Sequence, residues 1–272
     1  MPARKLCLAS CLLLLSGTAA SAGPETLDRF FPPEPVEAAR DYSRLATAST
    51  SRAEGVLALY RRAVELSEEL FAPIHAAHPD RIWPRLEELL DAALGLPGLS
   101  AGCVAECTEP ALVLDVGFFA EKAEATKDGA DDAFFELVEA FYGAEVPAAD
   151  GRVAGWPGFV EQTWDYGGHS VLGSGVHLRL LELVEPLRRS SRPFAEAVEP
   201  MREAVMDDLL SSGCLGLPAA EGVAEISRIL EVVPLSDDER QALTERRQEL
   251  ADPAAHDVEV DCRQASCVCN SG

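Results

Sequence analysis

The chain is 272 residues long, with 47% apolar, 25% charged and 6% aromatic residues and a formal net charge of −23. That apolar fraction can bury a core large enough to offset chain entropy, which excludes collagen-like, mucin-like and wholly disordered classes. The acidity argues against a nucleic-acid binder, because a phosphate backbone selects for clustered Lys and Arg.

Arg4 and Lys5 precede an apolar run over residues 6–15, and Ala20-Ser21-Ala22 places small residues where a signal peptidase cleaves. Residues 1–22 therefore read as a secretory signal peptide, and the expected destination is the periplasm or the extracellular space. Cleavage there removes Arg4 and Lys5 with no acidic residue, leaving 250 residues and a net charge of −25. No later stretch approaches the roughly 20 uncharged apolar residues that span a bilayer, so an integral membrane protein is not expected.

Residues 23–35 carry Pro24, Pro32, Pro33 and Pro35 and read as an extended leader. From Val36 the pattern is helical. Ser51-Arg52-Ala53-Glu54 is a capping-box sequence opening a helix whose Val56, Leu59, Tyr60, Ala63, Val64, Leu66, Leu70 and Phe71 recur at three- and four-residue steps. Pro73, Pro79 and Pro84 interrupt the chain before a helix that runs through Leu94 to Gly95. Residues 111–116 have strand-like composition but lead into helical character over 117–122, and helix is the favoured reading. A helix over 131–142 turns Phe134, Phe135, Leu137, Val138 and Phe141 inward, and a short one over 156–166 ends at Gly167-Gly168.

Further helices are expected at 175–190, 194–211, 219–233 and 237–250. Pro186 and Pro200 should kink or split theirs. Ser236-Asp237-Asp238-Glu239 is a second capping-box sequence. No stretch shows sustained alternation with hairpin turn chemistry, and no repeat is visible. The expected fold is all-α, an irregular array of eight or nine helices over residues 36–252, with a possible sub-boundary at 143–155 and a cysteine-containing tail at 253–272.

The mature chain holds Cys103, Cys107, Cys214, Cys262, Cys267 and Cys269. An even count in an exported chain points to disulfides, although six cysteines allow 15 pairings. Cys267 and Cys269 are too close to bridge each other easily, so the tail cysteines are expected to reach back to Cys103, Cys107 or Cys214 and staple the fold. A thiolate metal cluster lacks the paired two-residue spacing of zinc sites, and no metal or other cofactor is expected.

The densest group of chemically versatile residues lies between Trp156 and His177, where Trp156, Trp164, Tyr166, His169 and Ser170 form the candidate ligand-binding set. Glu161 and Asp165, four residues apart beside Trp164, and His169 and His177 are the candidate catalytic groups. The competing account is structural: aromatic residues anchor a core, and adjacent carboxylates form a solvated helix face. Gly168-His169-Ser170-Val171-Leu172 departs from a nucleophile elbow at Leu172, and Gly173-Ser174-Gly175 lacks the lysine of a phosphate loop. His75 and His78 sit at metal-ligand spacing, but between prolines and without a third ligand. The abundant carboxylates serve solubility and could hold Ca²⁺ weakly.

No motif is specific enough to name a family. The expectation is a non-catalytic exported protein that binds a protein, a small molecule or a glycan. The alternative is a secreted hydrolase, with glycans as the candidate substrate, that uses the carboxylates near Trp164.

Overall fold

The computed structural model describes residues 33–48, 51–76, 96–104, 109–142, 170–211, 214–256 and 259–260. Among them are eight α-helices and two small two-stranded sheets, so the protein is mostly helical. In chain order these are α1 (Pro33–Thr47), α2 (Ala53–Ala76), β1 (Leu99–Val104), β2 (Glu109–Leu114), α3 (Val116–Glu124), α4 (Ala130–Tyr142), α5 (Val176–Arg188), α6 (Arg192–Ser211), β3 (Cys214–Leu215), α7 (Ala219–Val232), α8 (Asp237–Ala251) and β4 (Glu259–Val260). None of these helices is long and apolar enough to cross a membrane.

Helix α1 starts at Pro33, so Pro33 and Pro35 form its first turn, where a missing N–H costs nothing. It buries Val36, Ala39, Tyr42 and Ala46 against α2, and the Tyr42 hydroxyl donates to the Pro97 carbonyl. Helix α2 buries Val56, Leu59, Tyr60, Ala63, Val64, Leu66 and Leu70, the face its spacing implies. Tyr60 is the hub of an aromatic cluster, with edge-to-face contacts to Phe119, Phe134 and Phe135 at centroid distances of 5.3, 5.6 and 5.5 Å. Each such pair contributes about 0.5–1.5 kcal/mol beyond its buried area.

Two local expectations are corrected. Residues 111–114 are strand, and the helix begins only at Val116. The reason is pairing: β2 lies antiparallel to β1, from Leu99 opposite Leu114 to Val104 opposite Glu109, which uses its backbone groups in a ladder. Asp115 then accepts a hydrogen bond from the Phe118 amide at 3.2 Å and caps α3, separating strand from helix. A hairpin is thus present where the weak alternation of residues 99–104 announced none. The second correction concerns one of the two outcomes expected at proline, a split helix. Neither Pro186 nor Pro200 splits its helix, because each stands on the exposed side, and the residue four back, Glu182 or Glu196, is exposed as well. Water can therefore reach the carbonyl that lost its donor.

Short links make α3 and α4, α5 and α6, and α7 and α8 packed neighbours. Phe134 of α4 meets Phe194 of α6 at 5.9 Å, and Arg61 of α2 donates to the Pro193 carbonyl at 3.1 Å. These contacts join the earlier helices to the later ones around one hydrophobic core. The Ser236–Glu239 capping box is formed in both directions. β4 lies parallel to β3, with Glu259 opposite Cys214, and Ser170 bridges to Leu215, so the chain at 259–260 and the segment at 170 both meet the strand of Cys214. The expected helices over 84–94 and 156–166 and the sub-boundary at 143–155 lie outside the described residues.

Candidate functional site

Of the residues singled out for chemistry, Ser170 and His177 are described. Trp156, Glu161, Trp164, Asp165, Tyr166 and His169 lie outside the described residues, as do His78, Cys107, Cys262, Cys267 and Cys269. Cys103 is in β1, Cys214 in β3, and His75 in the last turn of α2, which continues past Pro73.

Ser170 and His177 are both completely buried. The Ser170 Oγ accepts from the Leu172 amide at 3.2 Å, while its backbone N–H donates to the Cys214 carbonyl at 2.9 Å and its carbonyl accepts from Gly216 at 2.8 Å. This serine closes a turn and anchors it to β3.

The turn that follows depends on glycine. Gly173 has φ +106°, and a Cβ there would lie 2.8 Å from the Glu221 Cβ and 2.9 Å from the Gly222 backbone nitrogen. Only a residue without a side chain lets the loop approach the start of α7 this closely. The approach brings Glu225 of α7 under the loop. Its Oε2 accepts from the amides of Gly173 at 2.6 Å and Gly175 at 3.1 Å, and its Oε1 accepts from Leu178 at 3.1 Å. A carboxylate from another helix thus satisfies the orphan donors at the start of α5, where Gly175 offers no side-chain cap.

His177 sits in the first turn of α5 between two buried carboxylates. Its Nε2 is 3.0 Å from the Asp208 Oδ2 on α6, and its Nδ1 is 3.7 Å from the Glu225 Oε1. Among the described residues, Nδ1 has no hydrogen-bond partner. Three helices meet at this imidazole.

A second buried charge cluster lies at the other end of α5. Arg202 donates through Nε to the Glu185 Oε1 at 3.0 Å and through Nη2 to the Glu239 Oε2 at 3.1 Å, with a further Nη1 bond to Glu239. Arg188 joins Glu185 at 3.0 Å and Glu199 at 2.8 Å. Glu239 also accepts from the Ser236 amide at 2.8 Å, so one carboxylate caps α8 and pairs with the buried guanidinium. The hydrogen bonds from Arg202 hold its pKa down at about 2. Between α3 and α4, Thr126 donates to the buried Asp131 at 2.9 Å, while burial pushes the Asp131 carboxyl above its ordinary range.

The described surface also has a concavity of about 420 Å³ between α3 and α4, lined by Ala120, Glu124, Asp132, Phe135, Glu136 and Glu139. Four carboxylates around it produce a negative potential that draws cations and basic groups. Among the described residues no group of three or more His, Cys, Asp or Glu side chains is arranged to hold a metal ion.

Asp208, Glu225 and the Arg202 cluster were missed in the sequence reading, yet they left a signal. Asp208 continues the buried stripe Phe194, Val198, Met201, Val205, and Glu225 adjoins Ile226 on the stripe Gly222, Ile226, Ile229. A charge on an apolar stripe marks a buried partner elsewhere. Compared with known protein families, curated proteins and solved structures, the chain matches none.

Proposed function

We propose that this is an exported, disulfide-stapled helical protein that binds another molecule, a protein, a small molecule or a glycan, in the periplasm or outside the cell without transforming it. The observation that carries this reading is the use of the buried ionisable groups among the described residues. Asp131, Glu185, Arg202, Asp208, Glu225 and His177 are each engaged by protein partners, Asp131 by the Thr126 hydroxyl and the others in caps or ion pairs between helices. Such groups serve as scaffold, whereas a catalytic acid or base must meet substrate.

Export is supported by the charge order and cleavage-site residues of positions 1–22. Stapling is supported by Cys214, which is half of a disulfide, and by β4, which places residues 259–260 beside it, close in sequence to Cys262. The intact mass of the exported protein should lack residues 1–22 and six hydrogens, for three disulfides. Peptide mapping should join Cys262, Cys267 or Cys269 to Cys103, Cys107 or Cys214, and bridges confined to the tail would refute the staple.

The experiment that separates binding from hydrolysis uses the mature oxidised protein and cell-envelope polysaccharide. Binding without turnover leaves the number of reducing ends unchanged. Release of reducing ends that falls on the order of 10²-fold in Glu161→Gln would establish a carboxylate-dependent hydrolase instead.

A further inference from the structure

Among the described residues, the buried imidazole of His177 is satisfied at one nitrogen only. With its Nε2–H donated to Asp208 at 3.0 Å, a neutral ring turns a bare Nδ1 lone pair toward the Glu225 Oε1 at 3.7 Å, too long for a hydrogen bond. A proton on Nδ1 would reverse that relation and make the same pair a charge-assisted donor and acceptor. The Glu225 carboxylate that receives it is the one that holds the amides of Gly173, Gly175 and Leu178.

We propose that His177 and Glu225 form a proton-operated latch: uptake of a proton at the His177 Nδ1 closes the 3.7 Å gap and tightens the glycine turn over 171–178 onto α7. Loss of the proton leaves the turn held by Glu225 alone. The proposal does not depend on whether the protein binds or hydrolyses its target.

The charged groups of the described helices packed on α5 engage as follows. Helix α6 contributes Asp208, and its Arg202 and Glu199 are engaged with Glu185, Glu239 and Arg188. Helix α7 contributes Glu225. Helix α4 turns Asp131 to Thr126, and Asp132, Glu136 and Glu139 to the open cleft. On α8, which packs on α6 and α7, Arg246 bonds Glu249 at 3.0 Å. Among the described residues, the carboxylates of Asp208 and Glu225 are the ones within 4 Å of the imidazole.

The test is a titration of the full mature oxidised protein from pH 8 to pH 5, the span in which histidine side chains ordinarily change charge. Ring-nitrogen NMR of ¹⁵N-histidine-labelled protein should show Nδ1 of His177 gaining a proton. In the same transition, the hydrogen-exchange protection factors of the Gly173, Gly175 and Leu178 amides should rise about fivefold, the equivalent of one added hydrogen bond. His177→Gln should abolish the amide transition, while His256→Gln should retain it. Absence of a proton at Nδ1 down to pH 5, constant amide protection while the ring titrates, or an unchanged amide transition in His177→Gln would each overturn the latch. The ring measurement on the unaltered protein decides the matter even where His177→Gln does not fold.

Discussion

Helices α1–α4 and helices α5–α8 share one hydrophobic core but are tied together by different chemistry. In the first group the long-range contacts are aromatic: Tyr60, Phe119, Phe134 and Phe135 meet at centroid distances of 5.3–5.6 Å. In the second group they are ionic, with Arg202 bound by Glu185 and Glu239, and Asp208 and Glu225 facing His177. Ring packing is indifferent to proton concentration, whereas each buried carboxylate stabilises only while its partner and charge are in place. The later helices should therefore feel acid most, and the earlier ones, apart from the buried Asp131 beside Thr126, should feel mainly lost volume.

The largest effect is expected where the two groups meet. Phe134→Ala removes a fully buried ring that touches Tyr60, Phe135 and Phe194, and should cost about 3–5 kcal/mol in chemical denaturation. That loss should be the same at pH 7 and pH 4. A loss that shrinks with acid would contradict the apolar account of the earlier helices.

Arg202→Ala should cost about 3 kcal/mol at neutral pH, because it leaves Glu239 without its guanidinium and Glu185 with Arg188 alone, at a position where Arg202 is only 4% exposed. Here the cost should diminish in acid as the stranded Glu239 carboxylate protonates. Equal losses at pH 7 and pH 3 would remove the distinction between the two groups of helices.

Gly173→Ala should cost about 2 kcal/mol, through strain at φ +106° and collision with the α7 backbone. The loss of amide protection should concentrate at Gly175 and Leu178, where Glu225 holds the turn. Protection lost evenly over the molecule would show that the turn is not a separate unit.

The smallest effect belongs to Glu239→Gln. The native carboxyl has a pKa of about 2 against an ordinary 4.5, so its stabilisation is fully present above the ordinary value and is lost as pH falls from there through about 2. Solvent around this partly exposed group limits the loss to about 1 kcal/mol at pH 7. Unfolding curves of the variant and the unaltered protein should converge toward pH 2, and a gap that widened in acid would reverse the assigned sign.

Much of the helical framework was readable from periodicity and punctuation. The stripes of α2 and α4, the capping box of α8 and the ends of α5–α8 within three residues are local properties, set by side-chain spacing and by which residues satisfy orphan backbone donors. The pairing of β1 with β2 was not readable, since strand character there comes from the ladder the two neighbouring strands form and not from side-chain alternation. The same holds for the continuous helices through Pro186 and Pro200, where solvent on one face decides whether a lost hydrogen bond is replaced.

For function, the sequence by itself determined composition, acidity, the cysteine count and the gathering of Trp, His and Gly between Trp156 and His177. Only the tertiary structure decided that Ser170 and His177 at the end of that group are buried, one holding a turn to β3 and the other between carboxylates from two further helices. The physical reason is that a side chain's chemistry depends on what surrounds it. Asp208 and Glu225 lie 31 and 48 residues beyond His177, and no local pattern brings them to one imidazole; the packing of α5, α6 and α7 does.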